Sequence, residues 1–94
     1  MRKYEIMTII KLNVGEDKAK EQSNKLKDLI MSLGGKVLDS NFWGKRKFAY
    51  KVINDTEGFY DVVTFELDAD KVSTLKSKLN INESILRYLI SSAE

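Results

Sequence analysis

The densest group of residues able to do chemistry is a basic and aromatic segment in the middle of the chain, residues 43–52. It sets four cations among three aromatic side chains and contains no carboxylate. The cations are Lys45, Arg46, Lys47 and Lys51. Because cations attract a phosphate backbone and flat rings can stack on bases, the segment predicts contact with RNA. An equally good interpretation is a charged edge strand, whose lysines discourage pairing with other sheets.

Three residues outside this segment could share such a surface. Arg87 lies between apolar residues, so it could face phosphate or be a solvated arginine with a packed stem. Arg2 could contact the same ligand, although basic residues at a chain terminus are often frayed. Tyr4 could stack on a base, but a tyrosine in a strand is more often packed. The residue types alone leave these alternatives open.

The chain contains no histidine and no cysteine. This excludes disulfides and thiolate metal sites, and it removes the commonest general base at neutral pH. The carboxylate pairs Glu16/Asp17 and Asp68/Asp70 both lie where helices are predicted to begin, so capping explains them. No glycine-rich phosphate loop ending in Gly-Lys-Ser/Thr is present. We therefore expect no enzymatic activity, no cofactor and no metal site.

Length and charge limit the class of protein. Ninety-four residues suit a single domain spanning 1–94. The net charge of +2 is modest for an RNA-binding chain, so we expect RNA contact to be confined to a patch and shared with a second protein. No apolar run approaches the roughly 20 residues that span a bilayer, and no signal peptide precedes the first strand-like segment. A cytoplasmic protein is therefore expected.

The elements that must position these residues follow from hydrophobic periodicity. Strands are predicted over residues 4–12, 36–53, 59–67 and 84–91, and helices over 16–33 and 68–80. Gly44 is predicted to form a bulge or a bend, and residues 54–58 a hairpin turn. The order β-α-β-β-α-β predicts an α+β, ferredoxin-like fold, in which two helices cover one face of a four-stranded antiparallel sheet.

Alternation along the strands predicts which side chains face the helices. In the first strand Ile6 and Ile10 share one side, and in the last strand Ile85 is expected to share the side of Arg87 and Leu89. The face not covered by helices should display Met7, Ile9, Tyr60, Val62, Arg87 and Leu89. Exposed apolar residues are costly on a bare surface, so this face is predicted to be a protein interface.

Residues 1–5 and 44–50 together resemble the bacterial small-subunit ribosomal protein S six family. Its central signature is similar to glycine, any residue, a basic residue, a variable residue, leucine, alanine, tyrosine, any residue, isoleucine. The matching positions are Gly44, Arg46, Ala49 and Tyr50. Phe48 and Val52 replace the leucine and the isoleucine, and Lys51 stands where many members have proline. The resemblance covers almost the whole chain.

The resemblance implies the same ferredoxin-like fold and a non-enzymatic role in building the small ribosomal subunit. It implies binding to the central domain of small-subunit ribosomal RNA together with a small basic partner, ribosomal protein S eighteen. That role would support subunit assembly and translation on cytoplasmic ribosomes. By resemblance, RNA-facing character falls on Arg2, Tyr4, Arg46 and Arg87. Lys45 and Lys47 are added from charge alone.

Three other classes of protein share this element order. An RNA-recognition motif is loosely similar around residues 46–50, but Lys47 replaces its glycine and the stretch falls in the second strand. An acyl-phosphate hydrolase would need a phosphate-cradling loop before the first helix, where Glu16 and Asp17 make the chain too acidic. A small-molecule regulatory domain would need no basic patch.

Overall fold

A computed structural model describes residues 1–47 and 57–93. Strands and helices follow one another in the predicted order: β1 Arg2–Lys11, α1 Glu16–Ser32, β2 Lys36–Lys47, β3 Glu57–Leu67, α2 Val72–Asn80 and β4 Ile85–Ser92. Short 3₁₀ turns precede both helices, at Leu12–Val14 and Ala69–Lys71. The second of these turns occupies the start of the segment predicted as a single helix from residue 68.

The four strands form one sheet in the order β2-β3-β1-β4, and every neighbouring pair is antiparallel. In the central row, Ile6 on β1 lies opposite Val63 on β3 and Ile90 on β4. These side chains pack with buried residues of both helices. The ferredoxin-like arrangement predicted from the element order is therefore confirmed.

The turn between α1 and β2 depends on two glycines. Gly34 has φ 87°, a left-handed backbone conformation that glycine adopts without a steric penalty. Gly35 passes so close to β3 that an added Cβ would lie 2.7 Å from the carbonyl oxygen of Glu66. The Gly-Gly pair thus ends the helix and lets β2 begin directly beside it.

The buried residues between the helices and the sheet form three layers. The main cluster comprises Ile6, Leu26, Ile30, Val63, Phe65, Leu67, Leu75 and Leu79. The small cluster comprises Ile10, Ala19 and Phe59. The polar layer comprises Thr8, Ser23 and Asp61, which are also buried. Each residue of the polar layer lies between main-cluster and small-cluster residues along β1, α1 or β3, so polar atoms separate the two apolar clusters.

The sheet has three register shifts among the described residues, one of them between Val37 and Asp39, and the other two bear on what strand alternation predicts. The pairing of β2 with β3 shifts between Phe42 and Gly44, which confirms the predicted bulge at Gly44. The pairing of β1 with β4 shifts between Ile9 and Ile10, so Ile85 lies opposite Ile10 and packs against the core. The prediction that Ile85 shares the side of Arg87 is therefore wrong. Most of the predicted hairpin turn and the second half of the long predicted strand, residues 48–56, lie outside the described residues.

Candidate nucleic-acid interface

The basic segment begins at the end of the edge strand β2. Lys45 is exposed and lies opposite Phe59, and the backbones of Arg46 and Lys47 pair with Gly58 and Glu57. The side chains of Arg46 and Lys47, and all of residues 48–56, lie outside the described part of the chain. This includes Tyr50 and Lys51 of the basic and aromatic segment. An edge position suits both interpretations of the lysines, RNA contact and protection of the edge.

Arg2 and Tyr4 lie at the opposite end of the sheet. Arg2 is opposite Leu67, nine residues along β3 from the partner of Arg46, which is roughly 30 Å at 3.3 Å per residue. Tyr4 is half-buried on the helix-covered face, where its ring lies 5.7 Å from that of Phe65. Packing against the main cluster is therefore enough to explain the position of the Tyr4 ring.

Arg87 lies on the other edge strand, β4, and on the open face. It is exposed and stands opposite Ile9. Two strands separate β4 from β2, which is about 14 Å at the usual strand spacing. The structure therefore does not bring the six candidate residues into one cluster, and their contacts with RNA stay predictions.

Alanine substitutions separate packing from ligand contact. We expect Tyr4→Ala to lower the free energy of unfolding by about 1–3 kcal/mol, because the ring packs on Phe65. Arg87→Ala should change it by less than about 0.5 kcal/mol, because this side chain is exposed. Urea denaturation followed by circular dichroism measures both. A large loss of stability for Arg87→Ala would assign this arginine to packing.

The open face of the sheet has an apolar half beside the basic end of β2. Trp43, at the bulge, stacks on Tyr60 with ring centroids 6.4 Å apart and an interplanar angle of 0°. The neighbouring rows carry Met7, Ile9, Val62 and Leu89, with the exposed Arg87 beside Ile9 on the edge strand β4. Trp43 is 47% exposed and Leu89 65% exposed. The predicted open-face residues thus do share this face, although Ile9 is almost fully covered by its neighbours.

The other half of the open face is charged. Its residues are Lys3, Glu5, Lys36, Asp39 and Glu66. The face therefore changes from apolar to charged along the strands. If a partner buried the apolar half, the charged half would form the polar rim of the interface, as in most protein interfaces.

Sequence reasoning missed two residues of consequence. Trp43 is predicted within the basic segment but not on the open face. It follows Phe42, which packs on the small cluster, so its side chain lies on the opposite face beside Tyr60. The second is Asp61, which is fully buried although an aspartate carboxyl in water is ionised at neutral pH. The sequence does contain a signal for this burial. Asp61 lies two residues from both Phe59 and Val63, and alternate residues of a strand share a face.

The described residues show neither a membrane segment nor a metal cluster. No helix in these ranges has the length and apolar character needed to cross a bilayer. Within the same ranges, no three or more His, Cys, Asp or Glu side chains are grouped so that they could hold a metal ion.

Sequence comparison identifies the relatives of this chain. The family profile "Ribosomal protein S6" matches residues 3–92. The small ribosomal subunit protein bS6 of Fusobacterium nucleatum is 43% identical over 90 residues, which cover 96% of each chain. The bS6 protein of Dictyoglomus turgidum is 37% identical over 94 residues, covering 100% of this chain and 97% of its own. Both relatives are proteins of the small ribosomal subunit.

Structural comparison agrees. The crystal structure of 30S ribosomal protein S6 from Thermotoga maritima superposes with a TM-score of 0.90 and 30% sequence identity. The match covers 97% of this chain and 86% of that one. The resemblance carried by residues 1–5 and 44–50 is thereby confirmed over nearly the full length. The chain belongs to the ribosomal protein S6 family of the small ribosomal subunit.

Proposed function

We propose that this protein is a non-enzymatic component of the small ribosomal subunit, which binds the central domain of its ribosomal RNA together with ribosomal protein S eighteen. It would act on cytoplasmic ribosomes, in subunit assembly and translation, with residues 1–94 forming one domain. The observation that carries the proposal is the adjacency of an exposed apolar sheet face to a basic strand end, in a protein of the S6 family.

The basic strand end suits the phosphate backbone. Lys45 is exposed at the edge of the sheet, and Arg46 and Lys47 follow it directly along β2. An arginine can bind phosphate through two parallel hydrogen bonds, and lysines add mobile point charges. The net charge is only +2, because 14 Asp and Glu residues nearly balance the 16 Lys and Arg residues. This supports a weak RNA contact that gains strength from a second protein.

The apolar half of the open face suits a protein rather than RNA. Leu89 and Met7 offer aliphatic surface that can neither stack on a base nor pair with phosphate. Trp43 and Tyr60 offer a flat platform of the kind that forms the centre of many protein interfaces. A small basic protein seated there would lie next to the cations of β2, so that one RNA junction could contact both proteins.

A binding titration tests the proposal. We expect labelled central-domain RNA to bind this protein weakly alone, and about 5- to 150-fold more tightly with ribosomal protein S eighteen present, the usual range for coupled binding. Fluorescence anisotropy with and without the partner measures the ratio. Equal affinity in both titrations would reject cooperative binding.

Salt dependence checks the electrostatic part of the same proposal. About four phosphate contacts predict a slope of roughly −3 to −4 in a plot of log affinity against log salt concentration. An RNA of the same length but scrambled sequence serves as the control for non-specific attraction. A slope near zero would show that the cations of β2 do not contact phosphate.

A further inference from the structure

The polar layer is an unusual feature of so small a core. Thr8 lies opposite Asp61 in the sheet, and Ser23 on α1 lies near the Asp61 carboxylate. All three are at most 5% exposed. On one side lies the main cluster, and on the other the small cluster of Ile10, Ala19 and Phe59, against which Val14 and Phe42 pack. The polar layer thus separates the buried residues of the small cluster from those of the main cluster, and among the described residues Ile85, opposite Ile10, packs against the main cluster at the edge of this layer.

Asp61 is the least well satisfied member of the polar layer. It is 0% exposed, and neither carboxylate oxygen has a hydrogen-bond partner among the described residues. The Thr8 hydroxyl donates instead to the backbone carbonyl of Asp61, at a long 3.5 Å. A buried carboxylate without partners costs free energy when it is ionised, whereas the protonated form costs much less.

The surroundings of Asp61 supply little compensating charge. Thr8 on β1 and Phe42 on β2 flank it and are uncharged. From α1, Ser23 and Lys27 act on it, while the α2 residues that pack in the core are apolar: Val72, Leu75 and Leu79. Burial raises the pKa of the Asp61 carboxyl above its ordinary value. The Ser23 hydroxyl, which lies near the carboxylate but not in hydrogen-bonding geometry, and the Lys27 ammonium lower this pKa by less.

We propose that ionisation of Asp61 opens the small-cluster end of the fold, so that the first half of α1 separates from β1 and β3 while the main cluster stays closed. Opening at this end lets water reach the carboxylate, and it costs the contacts of the polar layer, of three buried apolar residues and of their two neighbours. Opening of the main cluster would expose eight buried residues. The smaller unit therefore opens at lower free energy.

The pH dependence has a definite sign. The closed state holds the Asp61 proton more tightly than the open state, in which the carboxylate is hydrated and has an ordinary pKa. Opening is therefore favoured as the pH rises from the ordinary pKa of the carboxyl to its raised pKa. The equilibrium constant for opening increases by up to about tenfold per pH unit in this range. Below the ordinary value, the closed state is fully retained.

Native-state hydrogen exchange tests this inference independently of RNA binding. At pH 7 we expect backbone amides of residues 19–23 to be protected at least about tenfold less than those of residues 27–30, because the first set opens with the small cluster. As the pH rises above 3.8, the ordinary pKa of the Asp61 carboxyl, protection of the first set should fall after correction for intrinsic exchange, and that of the second should change by less than about threefold.

Two variants sharpen the experiment. Asp61→Asn keeps the shape but cannot ionise, so it should raise protection of residues 19–23 at least about tenfold at pH 7 and abolish their pH dependence. Asp28→Asn removes an exposed carboxylate from the same helix and should leave both sets of amides unchanged. Equal protection along all of α1 in the unmodified protein would overturn the inference, whether or not Asp61→Asn folds. An unchanged pH dependence in folded Asp61→Asn would overturn it as well.

Discussion

The double substitution Trp43→Ser with Leu89→Ser is expected to weaken binding of ribosomal protein S eighteen by about 30-fold or more, while the protein stays folded. Trp43 and Leu89 are 47% and 65% exposed and flank the apolar half of the open face. A tryptophan at the centre of an interface commonly contributes 2 kcal/mol or more, which is about 30-fold in affinity. Isothermal titration calorimetry with the purified partner measures the loss.

Matched controls are available elsewhere on the surface. Ile81 and Met31 are 78% and 52% exposed, and both lie outside the sheet. Ile81→Ser with Met31→Ser removes a similar amount of exposed apolar surface, and we expect it to leave partner affinity within about threefold of the unmodified value, as for contacts outside a hot spot. If both double variants lost affinity equally, the open face would not be the docking surface. RNA binding by β2 would then need support that does not depend on a protein docked on the open face.

The substitution Phe65→Ala is expected to have the largest effect on stability. Phe65 is 0% exposed, and its ring contacts Tyr4 and the other residues of the main cluster. Truncating a buried phenylalanine costs about 3–5 kcal/mol, of a total that is usually about 5–15 kcal/mol. A large part of the folding free energy should therefore be lost. Thermal unfolding and urea denaturation both report it.

The control for Phe65→Ala is the substitution Leu89→Ala. Leu89 lies on the opposite face of the same sheet and is mostly exposed, so its truncation should change the free energy of unfolding by less than about 0.5 kcal/mol. A similar loss for both substitutions would mean that the open face is part of the folding core of the free protein. It would then be a poor candidate for a docking surface.

For the six candidate RNA-binding residues, the sequence predicted the family but not their arrangement in space. Their residue types and the signature around Gly44 led to the correct family, which the comparisons confirm. Their grouping could not be predicted, because strand pairing decides it: Arg2 lies opposite Leu67, whereas Arg46 lies opposite Gly58 at the other end of β3. The alternatives for Tyr4 also needed the structure, which shows its ring packed on Phe65.

The sequence by itself determined the order of the elements and most of the faces they present. Apolar periodicity is a local property, so it specified two amphipathic helices, strands of alternating pattern and the Gly34–Gly35 helix stop. The tertiary structure alone decided where Trp43 and Ile85 point and why Asp61 is isolated between two apolar clusters. Those outcomes depend on bulges and on contacts between segments far apart in the chain, and no local pattern encodes them.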